Sequence, residues 1–271
     1  MPSGKGYTIT YNGVASTTIP ELICHEIKRN LVGKVRDSFE EVAGMDGAWH
    51  FSEKRGMKEI TLPLSVLAAS YPVTRRATVE AVADWLDIGV LSKLITSDQP
   101  DRYDMAVMST AANVQEWRER GTFEVHMLAY PYSYELNVRN TTNTLTGPGW
   151  STTFDTLCKV PTYPVFEVTP VGAGITGFTI TTNGRVFTYA GAVSAGNTIT
   201  VSSLSYTVHT GTNADTDLQG AWNPATLSMT TVSGKFPILT QSGVNTVVVA
   251  PLAGAPSSMS VKMYWRKRVR S

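Results

Sequence analysis

Residues 56–109 read GMKEITLPLSVLAASYPVTRRATVEAVADWLDIGVLSKLITSDQPDRYDMAVMS, and the order of elements in this stretch decides the fold. Glu59 to Ala68 reads as a strand. Ala77 to Asp87 is the best helix candidate in the chain. Val79, Val82, Ala83 and Leu86 fall at i, i+3, i+4 and i+7, one apolar stripe on a 3.6-residue period. Thr74 or Thr78 is placed to cap its start, and Gly89 to supply a left-handed residue past its end. Trp85 lies beside the stripe and is expected to bury most of its ring. Lys93 to Thr96 reads as a short strand, followed by a charged turn and a third strand, Tyr103 to Met108. Nearly everything else reads as short strands and loops. This helix is therefore the main α-element, packed on a β scaffold.

Outward from this stretch the punctuation is that of β-structure. Tyr7 to Gly13 alternates and ends in Asn-Gly, a strand and tight turn. Leu22 to Ile27 and Arg36 to Val42 are strand candidates. Asp46-Gly47 and Arg55-Gly56 mark turns around a short strand, Ala48 to Phe51. This polar hairpin suits a core poorly and suits a projection towards a neighbour. His50, Ser52, Glu53, Lys54, Arg55 and Lys58 are its candidate contact residues. After the helix, Gln115 to Arg120 reads as a charged turn. Thr122 to Ala129 alternates, with Phe123, Val125, Met127 and Ala129 on one face. Asn137 to Ser151, rich in Asn, Thr and Gly, reads as a linker. Beyond it come Thr162–Thr169, Gly177–Thr182, the Asn183-Gly184 turn, Arg185–Tyr189, Asn197–Ser202, Ser205–His209, Asn245–Ala250 and Met259–Trp265. Strands at this spacing indicate a β-sandwich.

Length and charge support two domains. The chain has 271 residues and a formal net charge of +1, which argues neither for nucleic acid nor for an anionic membrane. Charge is sparse from Thr141 to Tyr264, so a boundary falls near residue 140, giving domains 1–140 and 141–271. Before it, 15 Lys and Arg stand against 18 Asp and Glu. Cys24 and Cys158 lack the spacing of a zinc site or a disulfide framework and read as isolated reduced thiols. The first residues lack a hydrophobic signal core, and no apolar run reaches membrane-spanning length. The expectation is a soluble protein made in the cytosol, with no membrane insertion.

Catalytic signals are missing. His25, His50, His126 and His209 form no metal-binding spacing, and there is no nucleophile elbow or P-loop. Glu40-Glu41 and Asp215/Asp217 are sequence-local carboxylates with no acid–base geometry implied. The reading is no enzyme, no metal and no cofactor. An alternative is a carbohydrate-binding or adhesin module. Its aromatics are Trp150, Tyr163, Phe187, Tyr189, Tyr206 and Trp222, with Trp150, Tyr206 and Trp222 as the sugar-contact candidates. A glycan-cleaving enzyme is a third class. The terminal Arg266, Lys267, Arg268 and Arg270 alternate with strand residues and read as a solvated or interfacial strand end.

The strand ending in ITLPL, the helix with Trp85-Leu86 near its end and the SDQPDRYDMAVM segment resemble the N-terminal domain of distal tail (Dit) proteins, the hubs of long-tailed bacteriophages. YPVFEVTP, GFTITTNGRVF, GNTITVSS, GKFPILTQSGVNTVVV and VKMYWRKRV resemble the second domain of that family, with Gly243-Val244-Asn245 and Tyr264-Trp265-Arg266 in the family's order. The resemblance implies a mainly β chain. Its N-terminal β-sandwich carries one helix and a protruding hairpin, and its C-terminal sandwich is galectin-like. It implies a homo-hexameric ring at the distal end of the virion tail, made in the host cytoplasm. The tail tube protein lies above and tail-tip or receptor-binding proteins lie below. DNA passes through the lumen without sequence-specific binding, so the lumen is expected to be neutral or acidic.

Overall fold

The computed structural model describes residues 6–30, 35–41, 48–67, 72–109, 115–116, 120–146, 150–155, 158, 160–212, 232–240, 243–253 and 258–270. The protein is mostly β. Among the described residues its α-helix is Pro72–Leu86. The chain divides into two compact units, Met1–Tyr134 with Arg270–Ser271, and Glu135–Val269.

In the first unit an antiparallel sheet runs in the order Val14–Ala15, Ile9–Tyr11, Ser92–Thr96, Gln99–Met108, Arg120–Ala129, Lys58–Leu67 and Leu22–Cys24. Two long strands form its centre. Ile60, Leu62 and Leu64 face Met127, Val125 and Phe123 across the ladder, and all six are buried. Each such side chain contributes about 1.5–3 kcal/mol by leaving water. Pro63 sits mid-strand, where a proline usually breaks a ladder. Here the flanking strand stops at Cys24, opposite Leu64, and resumes at Lys28, opposite Thr61. The Pro63 carbonyl points into that gap and accepts from the His25 amide at 3.0 Å. Its missing N–H lies on the same side, where no strand requires it.

The helix begins at Pro72, ahead of the Ala77 start expected from the apolar stripe. Proline is favoured at a first helical position, because its fixed φ fits and its absent N–H has no partner there. Thr74 and Thr78 thus lie within the helix and do not cap it. The buried stripe is Thr78, Val82, Trp85 and Leu86, while Ala83 is exposed. Trp85 is central to that stripe. Its Nε1 donates to the carbonyls of Tyr11 at 3.3 Å and Val14 at 3.2 Å, and its ring meets Tyr11 edge-on. Gly89 takes φ +69 past the helix end, as expected.

Three other readings change. The charged turn after Thr96 is only Ser97-Asp98, since Gln99–Met108 is one continuous strand. Gln115–Glu116, read as a turn, pairs with Gly121 and Thr122. The residues read as a linker, Asn137 to Ser151, hold the strand Arg139–Thr146 and the start of the strand Trp150–Asp155. Alternating Asn and Thr suits an edge strand, which needs one backbone partner and solvates its other edge.

The second unit holds two five-stranded antiparallel sheets. One runs Arg139–Thr146, Ser258–Trp265, Val165–Val171, Ile199–Ser202, Thr207–Thr210. The other runs Trp150–Asp155, Val244–Pro251, Phe178–Thr182, Arg185–Tyr189, Val232–Gly234. Residues of both sheets share one core, including Phe166, Val201, Val261 and Met263 from the first and Trp150, Phe178, Phe187 and Val249 from the second. Asn183 and Gly184 both have positive φ, the geometry of a type I′ hairpin, and Asn12-Gly13 repeats it in the first unit.

Candidate assembly surface

Val35–Glu41 and Ala48–Arg55 pair antiparallel with one another, as a two-stranded sheet of their own. The second strand is longer than the Ala48 to Phe51 segment read from the turns. Val35 lies opposite Arg55, Arg36 opposite Lys54, Asp37 opposite Glu53, Ser38 opposite Ser52 and Phe39 opposite His50. Five of the candidate contact residues, His50, Ser52, Glu53, Lys54 and Arg55, therefore share one strand of this ribbon.

Lys58 does not belong with them. It opens the next strand and is buried, at 1% exposure. Its ammonium donates to Asp104 Oδ1 at 2.7 Å and to Ser133 Oγ at 3.1 Å, and Ser133 in turn donates to Asp104 Oδ1 at 2.5 Å. Burial pushes the lysine pKa below its ordinary value, against the opposing pull of the Asp104 charge. Lys58 ties three strands inside the first unit and presents no charge to a neighbour. The ion pair of Arg29 with Asp98 is less deeply buried, with side chains 13% and 30% exposed. Burial raises the Asp98 pKa, yet hydrogen bonds from Arg29 and Thr96 and the Arg29 charge outweigh it and hold the carboxyl low.

The aromatics divide by burial. Trp150 is 1% exposed and is a core residue, so it offers no platform for a sugar. Phe187 and Tyr189 are likewise buried. Tyr206 is 53% exposed, with φ +56. Its ring packs edge-on against Phe236 at 5.4 Å and lies 6.4 Å from the half-buried Tyr163. Arg268 sits 5.0 Å over the Tyr163 ring. Trp222, with Asp215 and Asp217, lies outside the described residues.

The basic finish of the chain is in part internal. Arg266 is buried and donates through Nη1 to the carbonyls of Glu135 and Leu136. Arg268 donates to the Pro161 carbonyl at 2.7 Å. Tyr264 donates to Glu167 Oε2 at 3.1 Å, and burial, followed by the Glu167 charge, pushes its pKa up to about 12. The Tyr-Trp-Arg finish thus fastens the last long strand into the second unit, correcting the solvated reading of Arg266. A basic run gives no sign of which of its members caps carbonyls.

Among the described residues no three His, Cys, Asp or Glu side chains gather where a metal ion would be held. His25 contacts Ser65, His126 contacts Glu59 and His209 contacts Thr207, three separate places. Cys24 and Cys158 are both buried, and burial pushes the Cys24 thiol up to about 11, so it stays protonated and unreactive near neutrality. Among the described residues no helix is long and apolar enough to cross a membrane.

Residues 18–129 match the model of the phage tail protein RIFT-related domain family. The fold is similar to that of the Dit protein of phage SPP1, described as a paradigm of the hub adsorption apparatus in phages that infect Gram-positive bacteria. The TM-score is 0.69 at 15% identity, over 98% of this chain and 100% of that one. A weaker likeness, TM-score 0.46 at 9% identity over 94% of this chain and 97% of that one, is to a chain of the phage p2 baseplate in its activated conformation with strontium. No curated protein matches the chain in sequence.

Proposed function

We propose that this protein is a structural, non-enzymatic hub of a long-tailed phage. It forms a hexameric ring at the distal end of the tail tube and joins the tube to the tail-tip or host-adsorption proteins, while DNA passes through. The observation that carries this reading is the phage-tail domain at residues 18–129 within a chain whose fold follows that of a hub adsorption protein over 98% of its length. The first part, residues 1–140, builds the ring as a sandwich-like domain with its hairpin at the subunit contact. The second, residues 141–271, is a galectin-like sandwich pointing outward. Two five-stranded sheets around one core support that description. The excess of acids before residue 141 supports a lumen that does not grip phosphates.

The sugar-binding alternative loses Trp150 to the core and keeps Tyr206 as its one exposed candidate among the described residues. Size-exclusion chromatography with light scattering on the full chain tests the hub reading. A hexamer mass is expected, with no shift of duplex DNA in a low-salt mobility assay. A monomer at all concentrations, or tight salt-sensitive DNA binding by the ring, overturns it.

A further inference from the structure

Asn-Gly occurs twice in the sequence, at Asn12-Gly13 and Asn183-Gly184. Each pair closes a type I′ hairpin. Asn12 and Asn183 have φ +50 and +49, and both glycines have φ +80. All four residues are exposed. Nothing lies within 4 Å of where a Cβ would stand on either glycine, so each turn stands clear of the rest of the chain. The hydrogen bond that closes such a turn uses the amide of its fourth residue and leaves the glycine amide out. The two sites are therefore matched in sequence, backbone and exposure.

They differ at the asparagine side chain. Asn183 Nδ2 donates to Asn245 Oδ1 at 2.7 Å, and Asn183 Oδ1 accepts from the Thr246 amide at 3.0 Å. Both ends of that side-chain amide are held, one of them by a buried residue. Asn12 is tied through its backbone amide, which donates to the Lys93 carbonyl at 3.0 Å. Its side chain forms no hydrogen bond among the described residues.

Asparagine is thermolabile. It is most so before glycine, whose missing side chain lets its amide nitrogen reach the asparagine Cγ. That nitrogen bonds to Cγ and gives up its proton, while the side-chain nitrogen leaves as ammonia. Water then opens the resulting succinimide at either carbonyl. One opening leaves aspartate in an ordinary main chain. The other leaves isoaspartate, with the main chain routed through the side-chain carbons. The sum is one water consumed and one ammonia released, with no oxidant or co-reactant. The attack requires the side chain to turn towards the following amide, so hydrogen bonds that hold it elsewhere slow the step.

We infer that Asn12 is a site of spontaneous deamidation in the folded protein, and that the Asn245 and Thr246 contacts protect Asn183 from the same reaction. The position of Asn12 gives the modification a structural consequence. The carbonyls of Tyr11 and Val14 on either side of the turn accept from Trp85 Nε1. Isoaspartate lengthens the main chain between those two carbonyls by one carbon, in the hairpin that anchors the helix.

The test is peptide mapping by mass spectrometry of the full chain incubated in mildly alkaline buffer, with chromatography separating aspartate from isoaspartate. In the folded protein Asn12 should convert to both products. Asn183 should convert at least about tenfold more slowly, since two hydrogen bonds must break first. In concentrated urea, where neither turn persists, the two rates should converge. Asn245→Ala removes one of the two bonds and should speed Asn183 conversion about fivefold. Asn12 in the same molecules should keep its wild-type rate. Circular dichroism identifies whether that variant is folded, and the wild-type comparison between buffer and urea decides the matter without it.

An Asn183 that converts as fast as Asn12 in the folded protein overturns the inference. So does an Asn12 that stays intact while both sites convert in urea. An unchanged Asn183 rate in folded Asn245→Ala overturns the protection assigned to that contact.

Discussion

Replacing Asp104 by alanine should destabilise the first unit by about 3–5 kcal/mol, the usual consequence of leaving a buried charge without its partner. The Lys58 side chain is 0% exposed and that of Asp104 is 6% exposed, so water cannot take over the role of the lost carboxylate. Ser133 remains within 3.1 Å of the ammonium, but one hydroxyl does not balance a full charge. Lys58→Met alone should also destabilise, because it leaves the Asp104 carboxylate to Ser133. The combined variant, Lys58→Met with Asp104→Leu, should recover most of the loss, since a packed apolar pair of similar volume replaces a pair whose desolvation nearly cancels its attraction.

The pH dependence has a definite sign. Burial already holds the folded-state pKa of Lys58 below its ordinary value of 10.5, and Asp104 opposes that shift. Removing Asp104 lowers the folded value further. The unfolded chain then binds more protons than the folded one between that lowered value and 10.5. Across that window the stability of Asp104→Ala should rise with pH, narrowing its deficit. Thermal unfolding followed by circular dichroism at neutral and alkaline pH reads both effects. An Asp104→Ala melt within a degree of the wild type would show that the pair contributes nothing to the fold.

Lys58 also shows where the sequence was legible and where its reading failed. Lys58, Ile60, Leu62, Leu64 and Val66 share one period-two phase, and all five are buried. The phase alone would have placed the lysine inside. Its own charge, and those of Lys54 and Arg55 nearby in sequence, favour the surface instead. Asp104 shares its phase with the buried Ala106, so a second charge in a core phase announced the partner. Phe123, Val125, Met127 and Ala129 were legible because alternation there has no charged exception. The Asn-Gly turns were legible because positive φ at two consecutive positions restricts the residues that fit.

The rest depended on relations between distant segments. Trp150 follows Gly-Pro-Gly and looks exposed, yet it pairs with Val249 inside the second core. Arg139–Thr146 has the composition of a linker and becomes a strand because Ser258–Trp265 supplies its backbone partners. The pairing within the hairpin depends on register. Its strand ends, and the shift beyond Ser38, have no local signal strong enough to fix which residue faces which.

Asn245 is the position where a short motif proves to be a hydrogen-bonding hub, and its loss should be the most costly polar change in the second unit. The side chain is 0% exposed. Its Oδ1 accepts from the Thr240 amide at 2.7 Å, from Thr240 Oγ1 at 3.0 Å and from Asn183 Nδ2 at 2.7 Å. Its Nδ2 donates to the Gly243 carbonyl at 3.1 Å. Asn183 belongs to the type I′ turn, and its own Oδ1 accepts from the Thr246 amide at 3.0 Å. One amide therefore joins the turn, the 240 segment and the start of the Val244–Pro251 strand. Asn245→Ala strands several of these groups away from water at about 1–3 kcal/mol for each one left unsatisfied, and roughly 3 kcal/mol in all after local relaxation. Val244→Ala, one residue away and 72% exposed, should by contrast stay within about 0.5 kcal/mol of the wild type. Asn245→Asp separates shape from chemistry. It keeps the acceptor but sets a carboxylate oxygen against the Gly243 carbonyl, so ionisation is opposed and the folded-state pKa is raised. That variant is relatively stabilised below the unfolded aspartate value of about 3.9 and loses this stability as pH rises through the raised folded value. Urea unfolding of all three variants at acidic and neutral pH decides the matter. Equal stability of Asn245→Ala and Val244→Ala would mean that the motif's asparagine is incidental to the fold.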